Sequence, residues 1–237
     1  GDLVLAGGTR LTAADLGLLA SLGTGEVMIK RKLRVAFFST GDELRSVGEQ
    51  LDEGSVYDSN RYTLYGMLTR LNCELLDMGV VKDKRKDVEE AFLAAADNAD
   101  VVITSGGVSV GEADFVKETI EKLGKVEFWK VAMKPGRPLA FGRVKNACFF
   151  GLPGNPVSVM VTFYQFVQPA IRKLMGENQV DVITMKVPSA SKLKKRPGRL
   201  EYQRGIMERD ENGLLQVRKT GAQGSGILSS MSQANCF

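Results

Sequence analysis

From Leu33 onward the chain alternates between short apolar runs and stretches with helical spacing. Leu33–Ser39 (LRVAFFS) is an apolar run ending in Thr40-Gly41-Asp42, the pattern of a buried strand feeding a polar loop. Asn60 to Asn72 carries Tyr62, Leu64, Tyr65, Leu68 and Leu71 at helical spacing, with Asn60 placed to cap the helix. Glu74–Val81 reads as the next strand, Lys84–Asn98 as an amphipathic helix, and Asp100–Thr104 as a strand leading into Ser105-Gly106-Gly107. A helix is predicted from Asp114 to Leu123. Strands are predicted over Val126–Met133 and around Pro138–Phe141 and Ala147–Phe150, and a long apolar helix from Pro156 to about Met175.

This alternation predicts an α/β, three-layer α/β/α domain with a mainly parallel sheet. In such folds ligands bind beyond the carboxyl ends of the strands. After Gly176 the pattern changes: Val180–Val187, Leu200–Glu208 and Leu214–Lys219 read as strands, the last two joined by the hairpin signal Asp-Glu-Asn-Gly. We therefore divide the chain into a lead-in (1–30), an α/β domain (31–177) and a small, incomplete β domain (178–237). The lead-in holds one amphipathic helix, Thr12–Leu22, which Thr12 could cap and which is expected to pack on the α/β domain.

Composition narrows the chemistry more than the fold. The 237 residues include no histidine, which removes Ser-His-Asp and Cys-His catalysis and histidine-ligated zinc. Acid–base or metal work falls to carboxylates, lysines, hydroxyls and backbone dipoles. The net charge of +4 suits an anionic small molecule without the concentrated basic stripe of a nucleic-acid binder. The cysteines, Cys73, Cys148 and Cys236, form no CxxC pair and read as reduced thiols of a cytoplasmic protein. No signal peptide and no apolar run of membrane-spanning length is recognisable. The start at Gly1 and the stop at Cys236-Phe237 both resemble cuts through a longer protein.

Five loops could carry chemistry. Thr40-Gly41-Asp42-Glu43 places two acids at a strand end, where they could hold a hard cation such as Mg²⁺ or merely complement a helix dipole. Tyr57-Asp58-Ser59-Asn60 could contact a ligand or simply cap a helix. Ser105-Gly106-Gly107-Val108-Ser109, with Asp114 beyond it, joins a strand to a helix. Its glycines let backbone N–H groups close around an anion, and it lacks both the dinucleotide fingerprint and the Walker ending. Lys134 and Arg137 flank a Pro-Gly turn that ends at Pro138, a stiff oxyanion clamp or a solvated basic turn, to which Lys130 could add a charge. Pro153-Gly154-Asn155-Pro156-Val157-Ser158 is a rigid helix entry that could also offer amides and a hydroxyl to a ligand.

The order STGDEL (39–44), YDSN (57–60), SGGVSVGEADF (105–115), MKPGRP (133–138) and GLPGNPVS (151–158) resembles the molybdopterin-binding family. PGRLEYQRG (197–205) and GSGILSSMSQANCF (224–237) resemble the small C-terminal β domain of its molybdenumtransferase branch, shared with the E domain of gephyrin. The resemblance implies insertion of molybdate into adenylylated molybdopterin with Mg²⁺-dependent release of AMP. It places Asp42, Glu43, Asp58 and Asp114 around Mg²⁺ and the substrate, with Ser105, Gly106, Gly107 and Ser109 over the pterin phosphate and nucleotide. Lys134, Arg137, Pro138 and Ser158 would surround molybdate, closed over by Arg199, Arg204 and Ser225. It also implies a homodimeric full-length protein and a molybdopterin adenylyltransferase as pathway partner. An adenylyltransferase activity of the chain itself is disfavoured by the C-terminal tail, and a gephyrin-like scaffold by the retained acidic and basic loop positions.

Overall fold

A computed structural model describes the chain except residues 108–114 and 179. In order, the elements are α1 (Ala13–Ser21), β1 (Arg34–Thr40), β2 (Leu44–Arg45), β3 (Val56–Tyr57), α2 (Ser59–Arg70), β4 (Glu74–Val81), α3 (Arg85–Asn98), β5 (Val101–Ser105) and α4 (Phe115–Leu123). There follow β6 (Gly124–Lys130), β7 (Met133–Lys134), β8 (Pro138–Val144), β9 (Ala147–Leu152), α5 (Pro156–Thr162), α6 (Gln168–Leu174), β10 (Leu200–Glu201), β11 (Gly205–Arg209), β12 (Leu215–Lys219) and α7 (Ser229–Gln233).

Six strands form one sheet in the order β4-β1-β5-β9-β8-β6. The first four run parallel, and β8 and β6 are added antiparallel at one edge. Side chains alternate across it as a pleated strand requires. Ala36 and Phe38 of β1, Val102 of β5 and Ala147 and Phe149 of β9 pack with Val88 and Phe92 of α3 and Val116 and Ile120 of α4. Val35, Phe37, Val101, Ile103, Phe150 and Leu152 face the other way, onto Leu64 and Leu68 of α2, Val159 of α5 and Ile171 of α6. Both faces are covered, so the central strands read as unbroken apolar runs. Fully burying a phenylalanine such as Phe37 or Phe38 stabilises the fold by about 1.5–3 kcal/mol.

The sequence patterns place these elements well and miss five local events. The cap of α2 is Asp58, whose Oδ1 accepts the Arg61 N–H at 3.1 Å; Asn60 is buried inside the first turn. The strand expected over Val126–Met133 stops at Lys130 and resumes as the two-residue β7. The helix from Pro156 is interrupted at Phe163–Val167 by a π-helical turn, which separates α5 from α6. Val180–Val187 forms no strand, and the run expected over Leu200–Glu208 splits into β10 and β11. The Asp210–Gly213 hairpin is present: β11 and β12 pair antiparallel, with Arg209 opposite Leu215.

The lead-in departs from expectation in another way. Thr12 does cap α1, in a reciprocal capping box with Asp15. Yet α1 has no buried residue, and Leu16 is 58% exposed. The lead-in touches the rest of the chain through its loop, where Asn178 N–H donates to the Gly8 carbonyl at 3.2 Å.

Candidate functional site

Parallel β1, β5 and β9 end together at Thr40, Ser105 and Leu152. The hydroxyls of Ser39 and Ser105 are buried and lie 2.8 Å apart, pinning the two strand ends to each other. Glycine is needed immediately beyond. A Cβ on Gly106 (φ +85°) would stand 2.5 Å from the Thr40 carbonyl oxygen, and one on Gly107 (φ +64°) 2.5 Å from Val116 Cγ2. The Gly154 loop reaches the same spot: Asn60 Nδ2 donates to the Gly154 carbonyl at 2.8 Å. Thr40 Oγ1, Asn60 Oδ1 and Asp58 Oδ2 are buried there without a hydrogen-bond partner among the described residues, a concentration of acceptors suited to a ligand's donors.

The basic turn is fixed from several sides. The Lys134–Pro135 peptide is cis, and Gly136 has φ +92° with Thr162 Oγ1 2.5 Å from where its Cβ would be. Lys134 belongs to β7, which pairs in parallel with β10, so that Lys134 lies opposite Glu201. Its Nζ donates to Glu201 Oε1 at 2.8 Å, and Gln203 Nε2 donates to Glu201 Oε2 at 3.1 Å. The hydrogen bond from Lys134 is the main reason that the Glu201 carboxyl titrates below the usual range.

Arg204 is 1% exposed. Nε donates to Ser230 Oγ at 3.0 Å and Nη2 to the Gly224 carbonyl at 3.0 Å, and no described carboxylate pairs with it. The guanidinium is thus a buried cation short of a counter-charge, and desolvation by burial lowers its pKa. The Arg204 segment is joined to the sheet domain through α5: Val157 N–H, one of the helix's orphan donors, bonds to the Ser225 carbonyl at 3.0 Å. Met133, Val157, Val161 and Met231 make a small apolar cluster at this junction.

An acidic side faces these cations. A register shift between β1 and β4 passes through Gly79 (φ +76°), and the chain beyond it brings Asp83 beside Asp42, whose Oδ1 accepts the Asp83 N–H at 3.1 Å. The Asp83 carboxyl is pushed up, first by burial and then by the charges of Asp42 and Glu43. Among the described residues, no group of three Asp, Glu, Cys or His is spaced to hold a metal ion. Hard carboxylate oxygens converge here, but they do not close a ligand set by themselves.

These parts surround one cleft of about 1210 Å³. Of the residues singled out in the sequence, Glu43, Gly106, Gly107, Lys134, Arg137, Pro138, Pro153, Gly154, Asn155, Ser158, Arg199, Arg204 and Ser225 line it. Asp42 stands just outside, on Asp83, and Asp58 and Ser105 are buried beneath the floor. Lys130, paired with Pro138 in the edge strand β6, is exposed and does not line the cleft. Ser109 and Asp114 lie outside the described residues. Sequence reasoning did not single out Asp83, Lys192, Lys194, Glu201, Gln203, Lys219 or Gln223, all of which line the cleft. Glu201 and Gln203 lie inside the PGRLEYQRG motif and Gln223 directly precedes GSGILSSMSQANCF, which is the legible signal for these three.

Comparison with known proteins agrees with this arrangement. Residues 36–173 match the family described as "Probable molybdopterin binding domain", and residues 186–237 match "MoeA C-terminal region (domain IV)". A molybdopterin molybdenumtransferase of Haemophilus influenzae is 52% identical over all of this chain, which covers 59% of that protein. The gephyrin of Dictyostelium discoideum is 35% identical, again over the whole chain, which covers 38% of it. The crystal structure of a molybdopterin biosynthesis MoeA protein from Pyrococcus horikoshii OT3 superposes with a TM-score of 0.80 at 29% identity, over 99% of this chain and 56% of that one. The chain thus spans less than two thirds of each of these relatives, and it belongs to the molybdopterin-binding domain family, in the form that carries the MoeA C-terminal region behind that domain.

Proposed function

We propose that the chain carries the active-site cleft of a molybdopterin molybdenumtransferase, which inserts molybdate into adenylylated molybdopterin and releases AMP. The observation that carries this reading is the meeting of the Lys134–Pro138 turn with Arg204 and Ser225 in one cleft at the ends of β1, β5 and β9. A stand-alone α/β domain would lack the second wall. On this reading residues 31–177 form the substrate-binding domain and 178–237 the domain that closes over it. The enzyme that supplies the adenylylated substrate is the pathway partner.

Molybdate, a tetrahedral dianion, is held by the ammonium of Lys134 and the guanidiniums of Arg137 and Arg204, with Ser158 and Ser225 donating to its oxygens. The turn is stiff, so little entropy remains to be lost on binding. Gly106, whose N–H is spent on the Leu152 carbonyl at 3.2 Å, and Gly107 contribute by leaving room for the substrate at the strand ends rather than by an open pair of amides. Asp42 and Glu43, with Asp114, are the residues that would hold Mg²⁺. When bound, Mg²⁺ supplies positive charge to the crowded phosphate oxygens. The chain's own contribution is to position the dithiolene and the oxyanion together and to offset their charge before reaction.

The test is AMP release from adenylylated molybdopterin by this chain, with and without molybdate, beside Arg137→Ala. Molybdate-dependent release that the variant loses supports the transferase. Release that ignores both molybdate and the substitution overturns it.

A further inference from the structure

The cleft is larger than a single tetrahedral anion requires. At about 1210 Å³ it exceeds the roughly 300–1,000 Å³ usual for small-molecule sites. The Lys134–Arg137 clamp lies on the wall built by the sheet domain. The C-terminal wall carries three further cations that line the same space, Lys192, Lys194 and Lys219.

These lysines stand on backbone that is tied together. Ala190 N–H donates to the Val217 carbonyl at 2.8 Å, Lys219 N–H to Ser191 Oγ at 3.0 Å, and Gln203 Nε2 to the Lys194 carbonyl at 3.2 Å. Their electrostatic situation differs from that of the clamp. Lys134 is matched by Glu201, whereas Lys192, Lys194 and Lys219 have no ion-pair partner among the described residues. Seven basic side chains line the described cleft against three acidic ones, so positive charge remains after the clamp's own pairing is counted.

We propose that Lys192, Lys194 and Lys219 form a second anion subsite, separate from the Lys134–Arg137 clamp, that takes the diphosphate group of the adenylylated substrate. The assignment rests on the reading of the cleft as the site of an anionic substrate. It specifies how the two anionic substrates are shared between the walls: the planar guanidinium and the stiff turn take the compact oxyanion, while three flexible ammonium groups, each with three donors, follow the elongated diphosphate. Exposed ammonium groups act through a field that salt screens over about 10 Å at 0.1 M, so this subsite is the more salt-sensitive of the two.

Inorganic pyrophosphate and molybdate serve as separate probes in titration calorimetry. The proteins compared are the unmodified chain, the triple variant Lys192→Gln/Lys194→Gln/Lys219→Gln, the corresponding triple Lys→Arg variant, and Arg137→Ala. All three lysines are exposed, so the variants are expected to fold, which circular dichroism checks. The expected result is pyrophosphate binding weakened about tenfold or more by the Gln substitutions and restored by the Arg set, with molybdate changed by less than about twofold. Arg137→Ala gives the opposite pattern. Equal loss of both probes in the Gln variant, loss of neither, or pyrophosphate loss confined to Arg137→Ala overturns the subsite. Failure of molybdate to bind any of the proteins, with pyrophosphate still lost in the Gln variant, keeps the subsite and sinks the molybdate reading instead.

Discussion

The side-chain amide of Gln223 brackets the backbone of Arg204, accepting its N–H at 2.8 Å and donating to its carbonyl at 3.1 Å. The same Nε2 donates to the carbonyl and hydroxyl of Thr220, and Thr220 in turn bonds the Arg204 carbonyl through both its N–H and its Oγ1. The backbone of a buried arginine is thereby held by a glutamine nineteen residues further along the chain, not by its immediate neighbours. Gln223→Ala is expected to weaken molybdate binding about tenfold. The effect should be absent when Arg204 is already alanine. A double-mutant cycle read by calorimetry checks this, and additive losses would show that Gln223 acts on something other than Arg204.

Glu201 occupies the ammonium that the oxyanion needs. Lys134 is 55% exposed and Glu201 10%, so the pair is partly screened and easily shared. Glu201→Gln is expected to tighten molybdate binding about threefold by removing a competing charge. Weaker binding in a calorimetric titration would mean instead that Glu201 holds Lys134 in place.

Gly136→Ala places a Cβ 2.5 Å from Thr162 Oγ1 at a left-handed backbone position. A loss of about 2 kcal/mol is expected in urea denaturation. Gly213→Ala, also left-handed (φ +78°) but with nothing within 4 Å, should cost only about 1 kcal/mol. Equal losses would assign the whole effect to φ and none to the packing of the basic turn.

Asp100 receives two hydrogen bonds from Arg31, at 2.6 and 2.7 Å, and one from the Arg34 N–H at 2.9 Å. The Arg31 hydrogen bond is the largest cause of its carboxyl being held at about 2, below its ordinary 3.8. A carboxyl depressed by folding stabilises the native state above its unfolded pKa, and that contribution is lost as pH falls from 3.8 through about 2. Asp100→Asn should therefore be less stable than the parent at pH 7, by about 1 kcal/mol after screening. The two should converge below pH 2. Urea midpoints measured at pH 7 and near pH 2 decide it; a constant difference would exclude the ionised carboxylate as the source.

The α/β half was legible because its signals are local and repeated. β1, β5 and β9 are continuous apolar runs whose ends coincide with the glycines that a close backbone approach requires at 106 and 107. The errors fall where a long-range partner decides. Asn60 resembles a cap in sequence but spends its amide on Gly154, ninety-four residues away, and leaves the cap to Asp58. Val180–Val187 has the right residue types for a strand, and Ile183 is 89% exposed because no described strand lies beside it. Asp83 escaped notice because it sits in a charged stretch, Lys82 to Arg85, in which nothing but the fold distinguishes it. The lysines at 192, 194 and 219 are unremarkable singly and become a wall only when Ser191 and Lys219 meet.

The parallel pairing of β7 with β10 is only two residues long, yet Met133 and Lys134 belong to the sheet domain's side of the cleft and Leu200 and Glu201 to the other. A ligand that touches both sides spans this seam. Its binding free energy is then shared between occupancy and docking, so that each promotes the other by the same factor. Affinity for the anion becomes a gauge of how firmly the C-terminal segment is seated, and a substitution that loosens the seam at Met133 or Leu200 should be felt as weaker binding without any contact to the ligand being altered.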